Sequence, residues 1–271
     1  MIPTFIKWAG GKRRIIDAIE NQLPKIIERY FEPFIGAGAV FFYIKEKYKP
    51  RYCLISDINE DLINTYLAVR DKVDLLMYHL RKYKKNHSDE FYYEIREKFN
   101  ANKIRGVNRA ASFIYLNKTC FNGLYRVNSK NEFNVPIGRQ DNTEIFNMEN
   151  LKRASKLLRG VKIKIKDYRE IASLTKEGDL VYLDPCYDPL TKKSFANYTP
   201  ERFNESDRHE LYKFIEKLND KKIKFLLSNN NLEIIRSLYK GYNISKLMVS
   251  RPINSVASGR GKIPELLIRN Y

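Results

Sequence analysis

Short apolar runs alternate along most of the chain with stretches in which apolar residues recur every three or four positions. The runs predict strands and the spacings predict helices, so the alternation indicates an open α/β sheet. The predicted strands begin near Tyr30 and Arg51 and include residues 161–165, 180–183, 223–227, 242–249 and 264–268. The predicted helices include residues 15–23, 151–158, 211–218 and 232–239.

The run at residues 180–183 is the centre of this pattern. It is apolar at all four positions, which is typical of a strand buried on both faces. Asp184 follows at its carboxyl end, where open α/β sheets bind ligands. Asp184 and the Pro185 carbonyl can accept hydrogen bonds, and the Tyr187 ring can stack. The three groups suit a planar ring with an exocyclic amine, although an ordinary turn after a core strand explains this stretch equally well.

A second signal lies at the ends of the first two predicted strands. Gly36 and Gly38 form a turn before a helix, and glycines let a backbone approach a ligand closely. Asp57 ends the next strand about twenty residues later, the spacing at which a carboxylate reaches the ribose of a ligand held by the first turn. The pair indicates a nucleotide-type site more specifically than either half does.

A turn near the start of the chain precedes a predicted helix and can hold an anion on its backbone amides. It consists of Gly10, Gly11 and Lys12. The turn is not a Walker A loop, because Ile6 replaces the first glycine of that motif and Arg13 stands where Ser or Thr should bind magnesium. The pattern therefore disfavours a phosphate-hydrolysing motor.

Residues 61–109 interrupt the alternation with amphipathic helices whose outer faces carry Lys and Arg. We therefore predict a catalytic domain at residues 1–60 and 145–271 and an inserted helical domain at residues 61–144. Within the insertion, residues 129–131 separate two apolar stretches and predict a β-hairpin. Such a ribbon can contact base edges in a DNA major groove, and an ordinary surface hairpin is the alternative.

The composition points to a partner. The chain carries 50 Lys and Arg against 32 Asp and Glu, a formal net charge of +18, and 13% of its residues are aromatic. Such an excess on a folded chain favours a polyanion, most commonly nucleic acid. Neither the three cysteines nor the three histidines have metal-site spacing, so no metal is expected. Without a membrane-length apolar run or a secretory signal, we expect a cytoplasmic, nucleoid-associated protein with no membrane contact.

Six motifs, in order along the chain, resemble those of the Dam-type DNA adenine N6-methyltransferases. They are residues 7–12 (KWAGGK), 31–38 (FEPFIGAG), 57–59 (DIN), 121–126 (FNGLYR), 132–139 (EFNVPIGR) and 184–187 (DPCY). The resemblance implies a Rossmann-like sheet that uses S-adenosylmethionine as methyl donor and carries an inserted target-recognition domain. It also implies action on double-stranded DNA, at GATC in the most similar members, by a monomer or by two molecules per DNA site.

The resemblance also assigns roles to single residues. It implies donor binding by Trp8, Lys12, Phe34, Gly36, Gly38, Asp57, Asp167, Tyr168 and Asp184. It implies DNA binding by Lys7, Phe121, Asn122, Leu124, Arg126, Pro136 and Arg139. For catalysis it implies that the adenine is flipped out of the duplex and stacked on Tyr187. Asp184 and the Pro185 carbonyl then accept the two amino N–H groups, which turns the nitrogen lone pair toward the methyl group.

One position departs from the family pattern. Cys186 replaces the second proline of the usual Asp-Pro-Pro-Tyr tetrad, which loosens the turn by ~1 kcal/mol or less. We expect methyl transfer to persist at an equal or reduced rate, with no covalent role for Cys186, since an amino nitrogen needs no enzyme nucleophile. The alternatives are a GATC-binding protein that kept the fold and lost turnover, and a methyltransferase acting on RNA or another amine.

Overall fold

A seven-stranded sheet is the centre of the molecule in the part of the chain that the structure describes. The computed structural model describes residues 2–138, 144–186, 204–250 and 262–271. The strands are β1 (Arg29–Glu32), β2 (Tyr52–Asp57), β3 (Lys162–Ile165), β4 (Leu180–Leu183), β5 (Lys224–Asn230), β6 (Asn243–Ser250) and β7 (Lys262–Arg269). Their order is β3-β2-β1-β4-β5-β7-β6.

The first five strands of this order are parallel, whereas β7 runs antiparallel to both β5 and β6. The order 3-2-1-4-5 is that of a doubly wound sheet, in which ligands bind beyond the carboxyl ends of the strands. The predicted α/β, Rossmann-like architecture is therefore confirmed. All of the predicted strands are present, each with ends within a few residues of its expected position.

Strand β4 is buried on both of its faces. Leu180 and Tyr182 belong to one apolar cluster, whereas Val181 and Leu183 belong to another, as the alternation of side chains along a strand requires. All four residues are at most 1% exposed. The strand that presents Asp184 is consequently fixed in the middle of the sheet by packing on either side.

Helices flank the sheet and form the insertion after β2. They are α1 (Ile16–Glu20), α2 (Ala39–Lys47), α3 (Glu60–Asp71), α4 (Val73–Lys85), α5 (Asp89–Asn100), α6 (Gly106–Thr119), α7 (Met148–Leu158), α8 (Glu205–Asp220) and α9 (Glu233–Leu238). Helix α3 begins at a side-chain cap, in which the N–H of Leu62 donates to Asn59 at 2.9 Å. No helix within the described ranges is long and apolar enough to cross a bilayer.

The insertion is packed against the sheet domain rather than separated from it. The apolar cluster that contains Ile55 of β2 continues through α3 and α4 to Phe113 of α6. The Arg70 side chain of α3 also donates a hydrogen bond of 2.9 Å to the backbone carbonyl of Val161, just before β3. The predicted domain boundaries at residues 60 and 145 stay a prediction.

The predicted hairpin is present in a short form. Val127 and Phe133 form a single antiparallel bridge, and the N–H of Asn128 donates to the Glu132 carbonyl at 3.0 Å. Asn131 occupies the turn with a φ of 59°, a left-handed conformation that asparagine tolerates. The hairpin therefore rests on one bridge and its turn instead of on two extended strands.

Candidate active site

Three carboxyl groups lie at the same edge of the sheet. Glu32 ends β1, Asp57 ends β2 and Asp184 directly follows β4. Because β1 pairs in parallel with both β2 and β4, these strand ends are adjacent. Glu32 was not among the predicted site residues, although its position at a strand end was an available signal. Its side chain is buried and accepts a hydrogen bond from Tyr30, and burial raises the pKa of Glu32 well above its ordinary value.

The turn between β1 and α2 requires glycine at two positions. Gly36 and Gly38 have φ values of +46° and +70°. A Cβ atom on Gly36 would lie 2.8 Å from Cδ1 of Trp8, and one on Gly38 would lie 2.6 Å from the Tyr66 hydroxyl. The Tyr66 hydroxyl also donates to the Gly36 carbonyl at 2.9 Å. Trp8 and the glycine turn, both predicted as donor-binding residues, are thus in direct contact.

Asp57 is bonded to the same turn. Its carboxylate accepts hydrogen bonds from the backbone N–H groups of Asn59, at 3.0 Å, and of Gly36 and Ile58. Burial raises the pKa of Asp57 to about 6, and these backbone donors oppose the rise. The glycine turn and the acid about twenty residues later, which the sequence linked by spacing alone, are therefore joined by a hydrogen bond.

Lys12 is a buried ammonium beside the predicted catalytic acid. Its Nζ atom lies 2.9 Å from Oδ1 of Asp184, 2.8 Å from the Gly10 carbonyl and 3.7 Å from Oε2 of Glu265. The Lys12 side chain is only 4% exposed. Burial alone would lower the pKa of Lys12, but Asp184, Tyr182 and Glu265 together raise it above its ordinary value. Sequence reasoning placed Lys12 at the donor and missed its contact with Asp184.

Phe34 and Tyr168, two of the predicted donor-site residues, lie together. Their ring centroids are 5.2 Å apart. Asp167 caps the short 3₁₀ helix at Tyr168–Ser173 and binds Arg169 at 2.7 Å. Burial opposes ionisation of Asp167, but the Arg169 contact outweighs it, so the pKa of Asp167 lies below its ordinary value. The Asp167 carboxylate therefore caps this short helix as well as lying near the predicted donor site.

Two exposed isoleucines border this edge and were not predicted. Ile58 follows the strand-end acid and is 55% exposed, and Ile165 ends β3 and is 49% exposed. Asp57 and Ile165 are register partners in the β2–β3 ladder, so both isoleucines lie beside Asp57. Apolar side chains on the solvent side of a carboxylate can cover the face of a flat ring. The available signal was an isoleucine at the end of one predicted strand and another directly after the acid that ends its neighbour.

The predicted catalytic tetrad, residues 184–187, is described as far as Cys186. The Asp184 side chain is 20% exposed, and Pro185 is buried. Cys186 is exposed, yet desolvation of its thiol, with the nearby charges of Asp57 and Asp184, raises the pKa of Cys186 to about 12. The predicted stacking residue Tyr187 lies outside the described residues.

The predicted DNA-binding residue Lys7 packs against the turn that contains Phe121 and Asn122. The Asn117 side chain accepts a hydrogen bond from the Lys7 N–H at 2.7 Å and donates to the carbonyls of Lys7, at 2.8 Å, and of Gly123, at 3.3 Å. A Cβ atom on Gly123 would lie 2.1 Å from Cδ of Lys7, so Lys7 packs closely on the turn. Asn117 is 1% exposed and was not predicted; its only signal was an amide directly after the apolar run at residues 113–116.

The remaining DNA-side residues occupy the neighbouring segments. The Pro136 carbonyl accepts the Phe121 N–H at 2.9 Å, and the Phe121 ring is 51% exposed. Nε of Arg126 donates to the Asn134 side chain at 2.7 Å, which fixes the guanidinium along the hairpin. Leu124 is half-buried between these groups. The predicted residue Arg139 lies outside the described residues.

Within the described ranges, no group of three or more His, Cys, Asp or Glu side chains is arranged to hold a metal ion.

Residues 8–252 match the family described as D12 class N6 adenine-specific DNA methyltransferase. The chain belongs to this family. A type II methyltransferase named M.MjaIII, from Methanocaldococcus jannaschii, is 45% identical, and the alignment covers 100% of this chain and 99% of the relative. M1.LlaDCHI of Lactococcus lactis subsp. cremoris, also a type II methyltransferase, is 38% identical over 98% of this chain and 95% of its own. The DNA adenine methylase of Escherichia coli K12 is 34% identical, with 97% and 93% covered.

Membership in the D12 class confirms the resemblance and the enzyme class that it implied. This D12-class methyltransferase is an adenine-specific DNA methyltransferase, and DNA is its substrate. The relatives match over nearly their whole lengths, so the insertion between β2 and β3 is included in the likeness.

Proposed function

We propose that this D12-class methyltransferase transfers the methyl group of S-adenosylmethionine to N6 of the adenine in GATC, with that adenine flipped out of duplex DNA. The contact of 2.9 Å between Lys12 and Asp184 carries the proposal, because it fixes an acceptor carboxylate at the edge where the glycine turn and Asp57 also meet. Ligands of doubly wound sheets bind at this edge.

The residues present fit S-adenosylmethionine. The turn at Gly36 has no room for a Cβ atom, Asp57 is an acid at ribose-binding spacing, and Ile58 offers an exposed apolar surface beside it. The proposed donor-binding residues are Trp8, Lys12, Phe34, Gly36, Gly38, Asp57, Asp167, Tyr168 and Asp184. When bound, S-adenosylmethionine supplies a methyl group attached to a positively charged sulfur, and that sulfur is a good leaving group because it departs as a neutral thioether.

The chain's own contribution to the chemistry is positioning. Asp184 and the Pro185 carbonyl accept the two amino N–H groups of the flipped adenine, while Tyr187 stacks on the base. These hydrogen bonds orient the nitrogen lone pair for attack in line with the bond to the methyl group. The amino nitrogen would form its bond to the methyl carbon as the carbon–sulfur bond breaks, the sulfur would leave as a neutral thioether, and the proton released from nitrogen would pass to solvent. Catalysis is by orientation and electrostatics, without an enzyme nucleophile.

The insertion at residues 61–144 is the proposed DNA-recognition domain. Lys7 and the turn at 121–123 form a joint surface with Leu124, Arg126 and Pro136 close by, and Arg139 completes the proposed set. An arginine fixed along a hairpin suits bidentate contact with guanine in the major groove. Support for GATC comes from the motifs at residues 121–126 and 132–139, which resemble those of Dam-type enzymes. We propose one molecule per DNA site, with two as the alternative.

Methyl transfer to matched duplexes tests this proposal. Tritiated S-adenosylmethionine is incubated with two duplexes that differ only in GATC or GTTC, with Asp184→Ala as the control variant. We expect label in the GATC duplex alone and none with the variant. Label in both duplexes would overturn the GATC assignment. Tight binding of GATC without label would instead support a non-catalytic DNA-binding protein.

A further inference from the structure

Three oxygen atoms surround the Lys12 ammonium, and two of them come from distant parts of the chain. The Gly10 carbonyl comes from the turn before it, Asp184 from the end of β4, and Glu265 from β7. Asp184 lies closer to the Lys12 nitrogen than Glu265 does, at 2.9 Å against 3.7 Å. Lys12 therefore lies between the proposed catalytic carboxylate and a second, deeper carboxylate.

The direction of β7 places Glu265 at this edge of the sheet. Because β7 runs antiparallel to β5, its early residues lie beside the carboxyl end of β5, and Glu265 pairs in register with Asn230. Glu265 and Asn230 are 6% and 2% exposed. The carboxylate is thus fixed by the strand ladder, and no rearrangement of a surface loop is needed to bring it to Lys12.

Stability alone is a poor reason for this arrangement. Burying an ammonium and carboxylates away from water destabilises the fold, and well-packed apolar residues often replace such groups without loss of stability. Buried charged groups that meet in a ligand crevice are more often retained for function. The Lys12–Asp184 contact limits rotation of the Asp184 carboxylate, and Glu265 limits where the Lys12 ammonium can go.

We infer that Glu265 is a positioning residue for methyl transfer, which holds Lys12 against Asp184 and thereby fixes the carboxylate that receives the target amino group. The inference rests on the proposed role of Asp184. In this arrangement Glu265 acts on Asp184 through Lys12, which contacts both carboxylates.

A double-mutant cycle tests the inference. Methyl transfer is measured in a single turnover for the wild type, Glu265→Gln, Asp184→Asn and the double variant. Asn keeps an acceptor oxygen, so its residual rate is measurable. We expect Glu265→Gln to slow transfer on the order of tenfold to hundredfold, as small misplacements of reacting groups do. The double variant should be no slower than Asp184→Asn alone, because both changes act on one carboxylate.

Donor affinity provides a readout that does not depend on turnover. Trp8 is the only tryptophan and lies against the glycine turn, so its fluorescence reports donor binding. Because Lys12 and Asp184 are also proposed donor-binding residues, some affinity falls too, but we expect Glu265→Gln to lose less affinity for S-adenosylmethionine than rate of transfer. A loss of donor affinity as large as the loss of rate would overturn the positioning role.

Asp179→Asn is the matched control. Asp179 precedes β4 at its opposite end, is 2% exposed, and binds Arg29 at 3.0 Å. Its replacement breaks another buried ion pair and should lower the melting temperature while leaving the transfer rate unchanged. An equal loss of rate in Asp179→Asn would show that Glu265 acts only through stability.

Further results would also overturn the inference. These are a wild-type rate in Glu265→Gln, or losses from Glu265 and Asp184 that multiply in the double variant. If Glu265→Gln fails to fold, Glu265→Asp replaces it, because aspartate keeps the charge but shortens the reach to Lys12. A wild-type rate in Glu265→Asp would likewise overturn the inference. Failure of the proposed function would give a different result from failure of this inference, because the wild type itself would then transfer no methyl group to GATC.

Discussion

The rings of Trp8 and Tyr125 are stacked, with centroids 5.2 Å apart and 21° between their planes. Trp8 lies against Gly36 in the glycine turn, whereas Tyr125 follows α6 in the insertion. The Tyr125 hydroxyl is also bonded to the side chain of Asn59, two residues after Asp57. One pair of rings thus joins the proposed donor pocket to the proposed DNA-recognition domain.

Replacing Tyr125 with leucine should weaken both sides of this junction. Loss of the stacked pair should cost ~1 kcal/mol of the free energy of unfolding beyond the lost apolar contact. The emission of Trp8 should shift to longer wavelength as water reaches the indole, and donor affinity should fall. Tyr125→Phe keeps the ring and serves as the control for the hydroxyl contact with Asn59. Unchanged emission in Tyr125→Leu would contradict the stacking geometry.

Gly36→Ala should abolish donor binding for a steric reason. Its Cβ atom would lie 2.8 Å from Trp8, and the residue has a φ of +46°. Gly160→Ala is the matched control, because Gly160 has a φ of +73° but open space around it. Both variants should lose about 1 kcal/mol of stability from backbone strain. Only Gly36→Ala should lose affinity for S-adenosylmethionine, measured by isothermal titration calorimetry; equal affinities would refute the contact.

Donor affinity should depend on pH through Asp57. The pKa of Asp57 in the donor-free protein is raised to about 6, so the folded protein keeps the carboxyl proton at pH values where the unfolded chain has lost it. The contribution of Asp57 to stability is therefore favourable in acid and is lost as the pH rises toward 6. Binding of ribose hydroxyls needs the ionised carboxylate.

We therefore expect the dissociation constant for S-adenosylmethionine to rise about tenfold for each pH unit below 6 and to be flat above it. Binding is followed by Trp8 fluorescence from pH 5 to 8. Asp57→Asn should bind weakly with no such slope. The same slope in Asp57→Asn would assign the titration to another group.

Local patterns in the sequence were enough to predict the sheet and two of its strand-end acids. Leu180–Leu183 is apolar throughout because both faces of the strand are covered. Asp57 follows the glycine turn at a spacing set by the helix and the strand that lie between them. Such features arise within single helices or strands or between elements adjacent in the sequence, so they can be recognised without knowledge of tertiary contacts.

Contacts that depend on the register of distant segments could not be predicted. Glu265 reaches Lys12 only because β7 inserts antiparallel beside β5, and nothing near Glu265 in the sequence indicates that pairing. Asn117 joins Lys7 to Gly123 from the buried face of α6. In both cases the polar group's role is set by what the completed fold places beside it.

Cys186→Pro, which restores the usual tetrad, should leave methyl transfer unchanged or faster. With the pKa of Cys186 raised to about 12, only about one thiol in 10⁵ is ionised at pH 7, too few for an effective nucleophile. A second proline stiffens the turn, and the gain is ~1 kcal/mol or less where the backbone already fits. Single-turnover methyl transfer to a GATC duplex measures the effect, with Cys186→Ser as a control that keeps the size of the side chain. Loss of transfer in both variants would establish a chemical role for the thiol, whereas transfer restored by proline to an inactive wild type would establish that the cysteine had silenced the enzyme.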